Sequence, residues 1–276
     1  MKTLRTYAAE LRTSMGFLTV LPVESRREAG VQADSPWLRQ DRPLLRQDRP
    51  LLRQDSPGLG QSAGWFPWVG LVIGAGAGAV WWLSGLVLPP MLAAVLAVSA
   101  WAALTGGLHL DGLADCCDGL LSSAAVERRL EIMRDPRLGT FGAVGLCLVL
   151  VAKIAAVYSL PSASTIPAML LAAGTGRLLI LLARWQPAAR AGGMGEDFQS
   201  GLRGASLPLA AVPVIGSGIF LGWSGGLAVL AALLATLAVF SLAKSRIGGL
   251  TGDVLGCALE LSELAALLAC NLRLPV

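Results

Sequence analysis

Apolar residues in this chain fall in long, nearly unbroken runs instead of the alternating stripes of a soluble domain. From Ser56 to Leu110 there is no Asp, Glu, Lys or Arg at all. Runs long enough to cross about 30 Å of hydrocarbon recur along the sequence. About seven spans are predicted, at roughly 66–87, 91–107, 141–160, 167–185, 206–222, 226–243 and 253–271. The fold expected is all-α: a polytopic transmembrane helical bundle with added cytoplasmic amphipathic helices. Residues 1–276 form a single integral membrane domain in this reading. Segment 8–23 is too short and too polar to span and reads as an interfacial or partly inserted helix. Gly70, Gly74 and Gly78 recur at helical spacing in the first span, where small residues let two membrane helices approach closely. The overlapping Gly-x-Gly-x-Gly is no dinucleotide loop, since no strand precedes it.

The connections divide into two sets. Leu88-Pro89-Pro90, Pro161 to Thr165 and Trp223 to Gly225 carry no charge. The other set holds Arg26 to Arg53, Arg128 to Arg137, Arg190 to Arg203, and Lys244 with Arg246. By the positive-inside rule the second set is cytoplasmic. A repeat-containing cytoplasmic loop occupies about 24–61. Within it Leu-Arg-Gln-Asp-Arg-Pro-Leu occurs twice in tandem from residue 38, followed by a third, diverged copy. Prolines at 43, 50 and 57 exclude a coiled coil. A repeat expansion in a tolerant loop and an arginine-rich patch for anionic lipid both remain open.

Composition adds to this picture. The chain is 54% hydrophobic and 14% charged, with positive mean hydropathy, outside soluble norms. The net charge of +4 comes from loop arginines, and no interleaving of basic and aromatic residues suggests nucleic acid. Five cysteines show no C-x-x-C spacing and read as small apolar residues. His109 is the single histidine, which argues against an imidazole-based zinc or iron site.

Candidate chemistry begins where the uncharged run ends, at Asp111, Asp115 and Asp118. At roughly 100° per residue, Asp115 lies about +40° and Asp118 about −20° from Asp111, so the three share one helix face. Like charges so placed call for a hard divalent cation, Mg²⁺ or Mn²⁺. A second cluster, Asp253, Glu260 and Glu263, also shares a face, with Gly256 leaving space beside it. Two readings of Glu260 and Glu263 stay open: a metal or substrate role with the first cluster, or ion pairs to Lys153 or Arg177 that lock the bundle. Lys153 and Arg177 lie inside predicted spans, facing the interior, where either would bind phosphate or neutralise the acids.

Between the spans a short amphipathic helix is predicted, with Ser123 as its cap and Pro136 as its stop. Arg134, Arg137 and the amides of Gly139-Thr140-Phe141-Gly142 would then flank the aspartates as a pyrophosphate cradle. A solvated basic loop is the competing account of these arginines. No Ser-His-Asp set, activated cysteine or redox motif is present. Metal-assisted phosphoryl or nucleotidyl transfer at the membrane surface is the reaction class favoured. The rival class is a membrane cation transporter using the same carboxylates. Its uncharged external turns count against it.

The stretch Thr105 to Gly119, with Asp111-Gly112-Leu113-Ala114-Asp115-Cys116-Cys117-Asp118-Gly119, resembles the signature of the cobalamin synthase (adenosylcobinamide-GDP ribazoletransferase) family. Glu131 to Thr140, Phe17 to Pro22, Gly64-Trp65-Phe66-Pro67 and Gly249 to Glu263 resemble further family blocks in the same order. The 24–61 loop and Ala183-Arg184-Trp185-Gln186-Pro187 depart from the pattern, without touching the acidic motifs.

The resemblance implies that a hydroxyl of α-ribazole, or of its 5′-phosphate, attacks the cobinamide-side phosphorus of adenosylcobinamide-GDP and that GMP leaves. It implies a multi-pass protein of a bacterial or archaeal cytoplasmic (inner) membrane. The lipid bilayer is then a partner, and a homo-oligomer or a cobalamin-assembly complex stays open. On that basis Mg²⁺ is expected on Asp111, Asp115 and Asp118, with Asp253, Glu260 and Glu263 completing the shell. Asp118 is the candidate for taking the hydroxyl proton, and Arg134 with Arg137 for stabilising the leaving GMP. Lys153, Arg177, Gly139 and Thr140 are expected to bind substrate, and the site is expected to face the cytoplasm.

Overall fold

The computed structural model describes residues 4–23, 57–190, 198, 201–202 and 207–272. The tandem repeat, most of the 24–61 loop and most of the 190–203 stretch lie outside the described residues. Helix α1 is Leu4–Leu18. Helix α2, Leu59–Ser62, passes through a 3-10 turn at Ala63–Trp65 into α3, Phe66–Gly85. Then come α4 (Pro90–Leu104), α5 (Leu108–Leu120), α6 (Val126–Ile132) and α7 (Thr140–Ser159). Helix α8 (Ser162–Leu179) continues as a 3-10 segment, Ile180–Trp185. The chain closes with α9 (Leu207–Phe220), α10 (Trp223–Ile247) and α11 (Gly252–Cys270).

The protein is a helical membrane protein, as the apolar runs predict. Four helical stretches have the length and composition of a span: Leu59–Gly85, Thr140–Ser159, Ser162–Trp185 and Trp223–Ile247. The pair α4 and α5 makes a fifth if counted as one broken span. The expected seven is not reached by this measure, for two reasons. Helix α9 has only 14 residues, and α11 carries Asp253, Glu260 and Glu263 within its 19.

The predicted span at 91–107 does not run on into the acidic helix. The chain turns by 90° between α4 and α5, through Gly106 and Gly107 at φ +61° and +68°. Both lie in the left-handed region that favours glycine. The segment after α1 docks at this elbow, where the Val20 N–H donates to Leu104 O at 3.0 Å.

The glycine stripe of α3 does what its spacing suggests. A Cβ at Gly70 would lie 2.5 Å from Ala173 O, and one at Gly74 would lie 2.9 Å from Met169 O. Helices α3 and α8 therefore touch backbone to backbone. Helix α11 is central and packs on α5, α7, α8 and α10. Its start is fixed by a short parallel bridge between Ala188 and Leu250. There the Ala189 N–H donates to Leu250 O, and the Leu250 N–H to Pro187 O, both at 2.9 Å.

Candidate active site

The two acid-bearing helices, α5 and α11, lie against one another. A Cβ on Gly112 would stand 2.9 Å from Asp253 O and 3.3 Å from the Gly256 Cα. Gly256 in turn faces the His109 backbone at 3.3 Å. This contact sets the backbone of Asp253 against α5, the helix that carries Asp111 and Asp115. Asp111 is exposed and Asp115 and Asp253 are half-buried. Because the obstacles at Gly112 are backbone atoms, Gly112→Ala is expected to push the helices apart. The expected cost is about 1–3 kcal/mol, readable as a lower melting temperature in detergent together with weakened activity.

Deeper along α11 the second cluster has a different occupation. The Lys153 ammonium donates to Glu260 Oε2 and to Glu263 Oε2, each at 2.6 Å. The Arg177 Nη1 donates to Glu263 Oε1 at 2.6 Å and to Ala173 O at 2.9 Å. All four side chains are buried. Trp101 of α4 covers Lys153, whose Nζ stands 5.2 Å from the ring centroid. Side chains in a helix tilt toward its N-terminus. Lys153 on α7 and the glutamates on α11 therefore lean the same way and meet. Close approach at Gly176, whose Cβ would sit 3.2 Å from Glu263 Cγ, brings Arg177 alongside. Of the two accounts open in the sequence, the bundle lock is the one formed. Lys153 and Arg177, expected on substrate, and Glu260 and Glu263, expected on metal, are engaged with each other.

Asp118 also differs from its expected role. Its Oδ2 accepts from the Gly139 N–H at 2.8 Å and its Oδ1 from the Gly142 N–H at 2.9 Å. A carboxylate at the first turn of α7 satisfies amides that lack intrahelical partners and complements the helix dipole. A side chain at either glycine would collide with this carboxylate. Two of the amides expected to cradle pyrophosphate are thus spent on Asp118, and Thr140 simply opens α7. The six-carboxylate shell is not assembled. Among the described residues no group of three or more His, Cys, Asp or Glu is placed to hold a metal ion. The five cysteines are free thiols.

Helix α6 begins at Val126 with Ala125 at its cap position, so Ser123 is not the cap. It ends at Ile132, ahead of Pro136. The helix is fixed by Arg129, which the sequence reading passed over. Its Nη1 donates to Leu120 O at 2.7 Å and to Gly119 O at 3.2 Å, and its Nε to Ala124 O at 2.8 Å. A buried guanidinium thus closes the C-terminal end of α5 and holds α6 beside it. Arg134 is exposed. Arg137 differs from expectation, since both its Nε and Nη2 are taken by Asp135, at 2.9 and 2.6 Å. That contact pushes the Asp135 carboxyl down to about 2.

Arg190 was not singled out by sequence pattern, yet it reaches this region. Its Nη2 donates to Leu130 O at 2.8 Å. The signal was absent because the bridge that carries it in, Ala188 to Leu250, joins segments remote in sequence.

Comparisons with known proteins identify the family. The family model described as cobalamin-5-phosphate synthase matches residues 10–271. An adenosylcobinamide-GDP ribazoletransferase of Klebsiella pneumoniae (strain 342) is 44% identical over 213 residues, covering 74% of this chain and 85% of that protein. One of Roseiflexus sp. (strain RS-1) is 40% identical over 219 residues, covering 78% and 81%. One of Ectopseudomonas mendocina (strain ymp) is 39% identical over 221 residues, covering 78% and 89%. No solved structure matches the chain. With its family model spanning nearly the whole sequence and relatives of this identity, the chain belongs to the cobalamin-5-phosphate synthase family.

Proposed function

We infer that this protein is an adenosylcobinamide-GDP ribazoletransferase. It transfers the adenosylcobinamide-phosphate moiety of adenosylcobinamide-GDP to α-ribazole, or to its 5′-phosphate, and releases GMP. The observation that carries the reading is the pairing of α5 with α11 through Gly112 and Gly256, in a chain of this family. That contact sets the start of α11, which carries Asp253, against the helix that carries Asp111 and Asp115. In the reaction the acceptor hydroxyl oxygen bonds to the cobinamide-side phosphorus, the bond from that phosphorus to the GMP oxygen breaks, and the hydroxyl proton passes to a carboxylate. Asp118 is a weak candidate for that proton, since both its oxygens already accept amide hydrogens.

The donor set suits Mg²⁺. It consists of carboxylate oxygens without imidazole or thiolate, and Mg²⁺ is ordinarily held by one or two carboxylates together with substrate phosphates. We assign it to Asp111 and Asp115, one helical turn apart on α5, acting together with the substrate phosphates, where it would neutralise charge on the pyrophosphate. Lys153, Arg177, Glu260 and Glu263 act as the lock that sets the depth and rotation of α11 and so the position of Asp253. The cation-transporter reading loses its two deepest carboxylates to this lock. The segment from Arg128 to Arg137 and Arg190 lie beside the acid-bearing helices, which supports a site facing the cytoplasm of a bacterial or archaeal inner membrane.

The test is GMP release from adenosylcobinamide-GDP plus α-ribazole by the full chain in nanodiscs. Release is expected to need Mg²⁺, to stop with EDTA and to return when Mg²⁺ is restored. Release unaffected by EDTA would remove the metal assignment, and no release with either acceptor would remove the reaction.

A further inference from the structure

Two arginines far apart in sequence, Arg134 and Arg190, are drawn together beside the acid-bearing helices. Arg190 follows directly on the bridge in which Ala188 and Ala189 pair with Leu250, so its backbone is held against the entry to α11, where Asp253 stands. Its Nη2 binds Leu130 O in the last turn of α6, one helical turn before Arg134. Its Nε is shielded from solvent and has no hydrogen-bond partner. Burial and the neighbouring Arg134 charge hold Arg190 below the ordinary arginine range, while Asp253 acts in the opposite direction.

A guanidinium held in place with one N–H unpartnered, and with a second arginine charge nearby, favours an anion beside it. The guanidinium fork matches the geometry of phosphate oxygens, which an ammonium does not. We propose that Arg190 is a substrate-binding residue that forms, with Arg134, a clamp on the phosphate of GMP as it separates from adenosylcobinamide-GDP. This rests on the reaction inferred above. As the phosphorus–oxygen bond to GMP breaks, negative charge grows on that phosphate, and fixed cations there stabilise the transition state more than the ground state. Arg137, expected beforehand as the partner of Arg134, is exposed and tied to Asp135. Arg190 replaces it.

The competing account is that Arg190 merely caps α6 through Leu130. Binding of GMP and of inorganic pyrophosphate to the full chain in nanodiscs separates the two. Arg190→Gln keeps an N–H donor for Leu130 O and discards the charge. Arg190→Lys keeps the charge and discards the fork. Arg128, exposed and paired with Glu131, serves as the control site. Arg190→Gln is expected to weaken GMP binding about tenfold or more, Arg190→Lys by less, and Arg128→Ala not at all. If Arg190→Gln does not fold, Arg190→Lys alone carries the test, and an affinity equal to wild type overturns the clamp. A lower melting temperature with unchanged GMP affinity also overturns it, as does a wild type that binds neither probe. Should the wild type bind GMP through Arg190 yet release none from adenosylcobinamide-GDP, the clamp stands and the reaction assignment fails.

Discussion

Asp115→Asn is expected to release GMP about a hundredfold or more slowly than the wild type while melting at nearly the same temperature. The substitution conserves shape and removes one charge. Asp115 is half-buried on α5, one turn after Asp111. Removing a single preorganised group that stabilises transition-state charge costs on the order of 10²–10³ in rate. If the carboxylate holds Mg²⁺, the variant should also need a higher Mg²⁺ concentration for half-maximal rate, because an amide oxygen is a weaker ligand. Initial rates measured across a Mg²⁺ titration check both statements. Wild-type rates and Mg²⁺ dependence in the variant would remove Asp115 from the site.

Glu263→Gln is expected to be the most damaging change to stability, by about 3–5 kcal/mol. Glu263 is fully buried and accepts from two cations at once, Lys153 and Arg177. Without its charge, Lys153 retains Glu260. Arg177 retains only the Ala173 carbonyl, since its Nε and Nη2 already lack partners. An uncompensated guanidinium at that depth is the source of the penalty. Glu260→Gln should cost less, because Lys153 keeps Glu263. The double variant Glu263→Gln with Arg177→Met should recover part of the loss, since the stranded charge is gone. Melting temperatures in detergent should order the three as Glu263→Gln lowest, with a fall of about 10 °C. Equal values for Glu260→Gln and Glu263→Gln would mean that the two glutamates share the load differently.

Much of the fold was legible in the sequence because a bilayer imposes a simple rule. Hydrocarbon leaves backbone groups no partner but each other, so long apolar runs become helices, and α3, α7, α8 and α10 fall where the runs lie. Helical phase was equally legible. Gly70 and Gly74 do pack on α8. Less predictable was the elbow at Gly106 and Gly107, where the chain leaves α4 at 90°. Two adjacent glycines permit positive φ without requiring it, and the docked segment at Val20 settles the matter.

The sequence by itself determined the candidates for the chemistry: three acids at the end of an uncharged run, three more on α11, and two cations, Lys153 and Arg177, well inside predicted spans. Only the tertiary structure decided how these are partnered. Spacing within one helix reports which side chains share a face and says nothing of which neighbour that face meets. Glu260 and Glu263 could serve a metal or a lysine equally well until α7 and α8 pack on α11 and bring Lys153 and Arg177 within 2.6 Å. Asp118 turned to the amides of α7 for the same reason. A buried charge takes the nearest group able to compensate it, and which group is nearest is a property of the packing between helices.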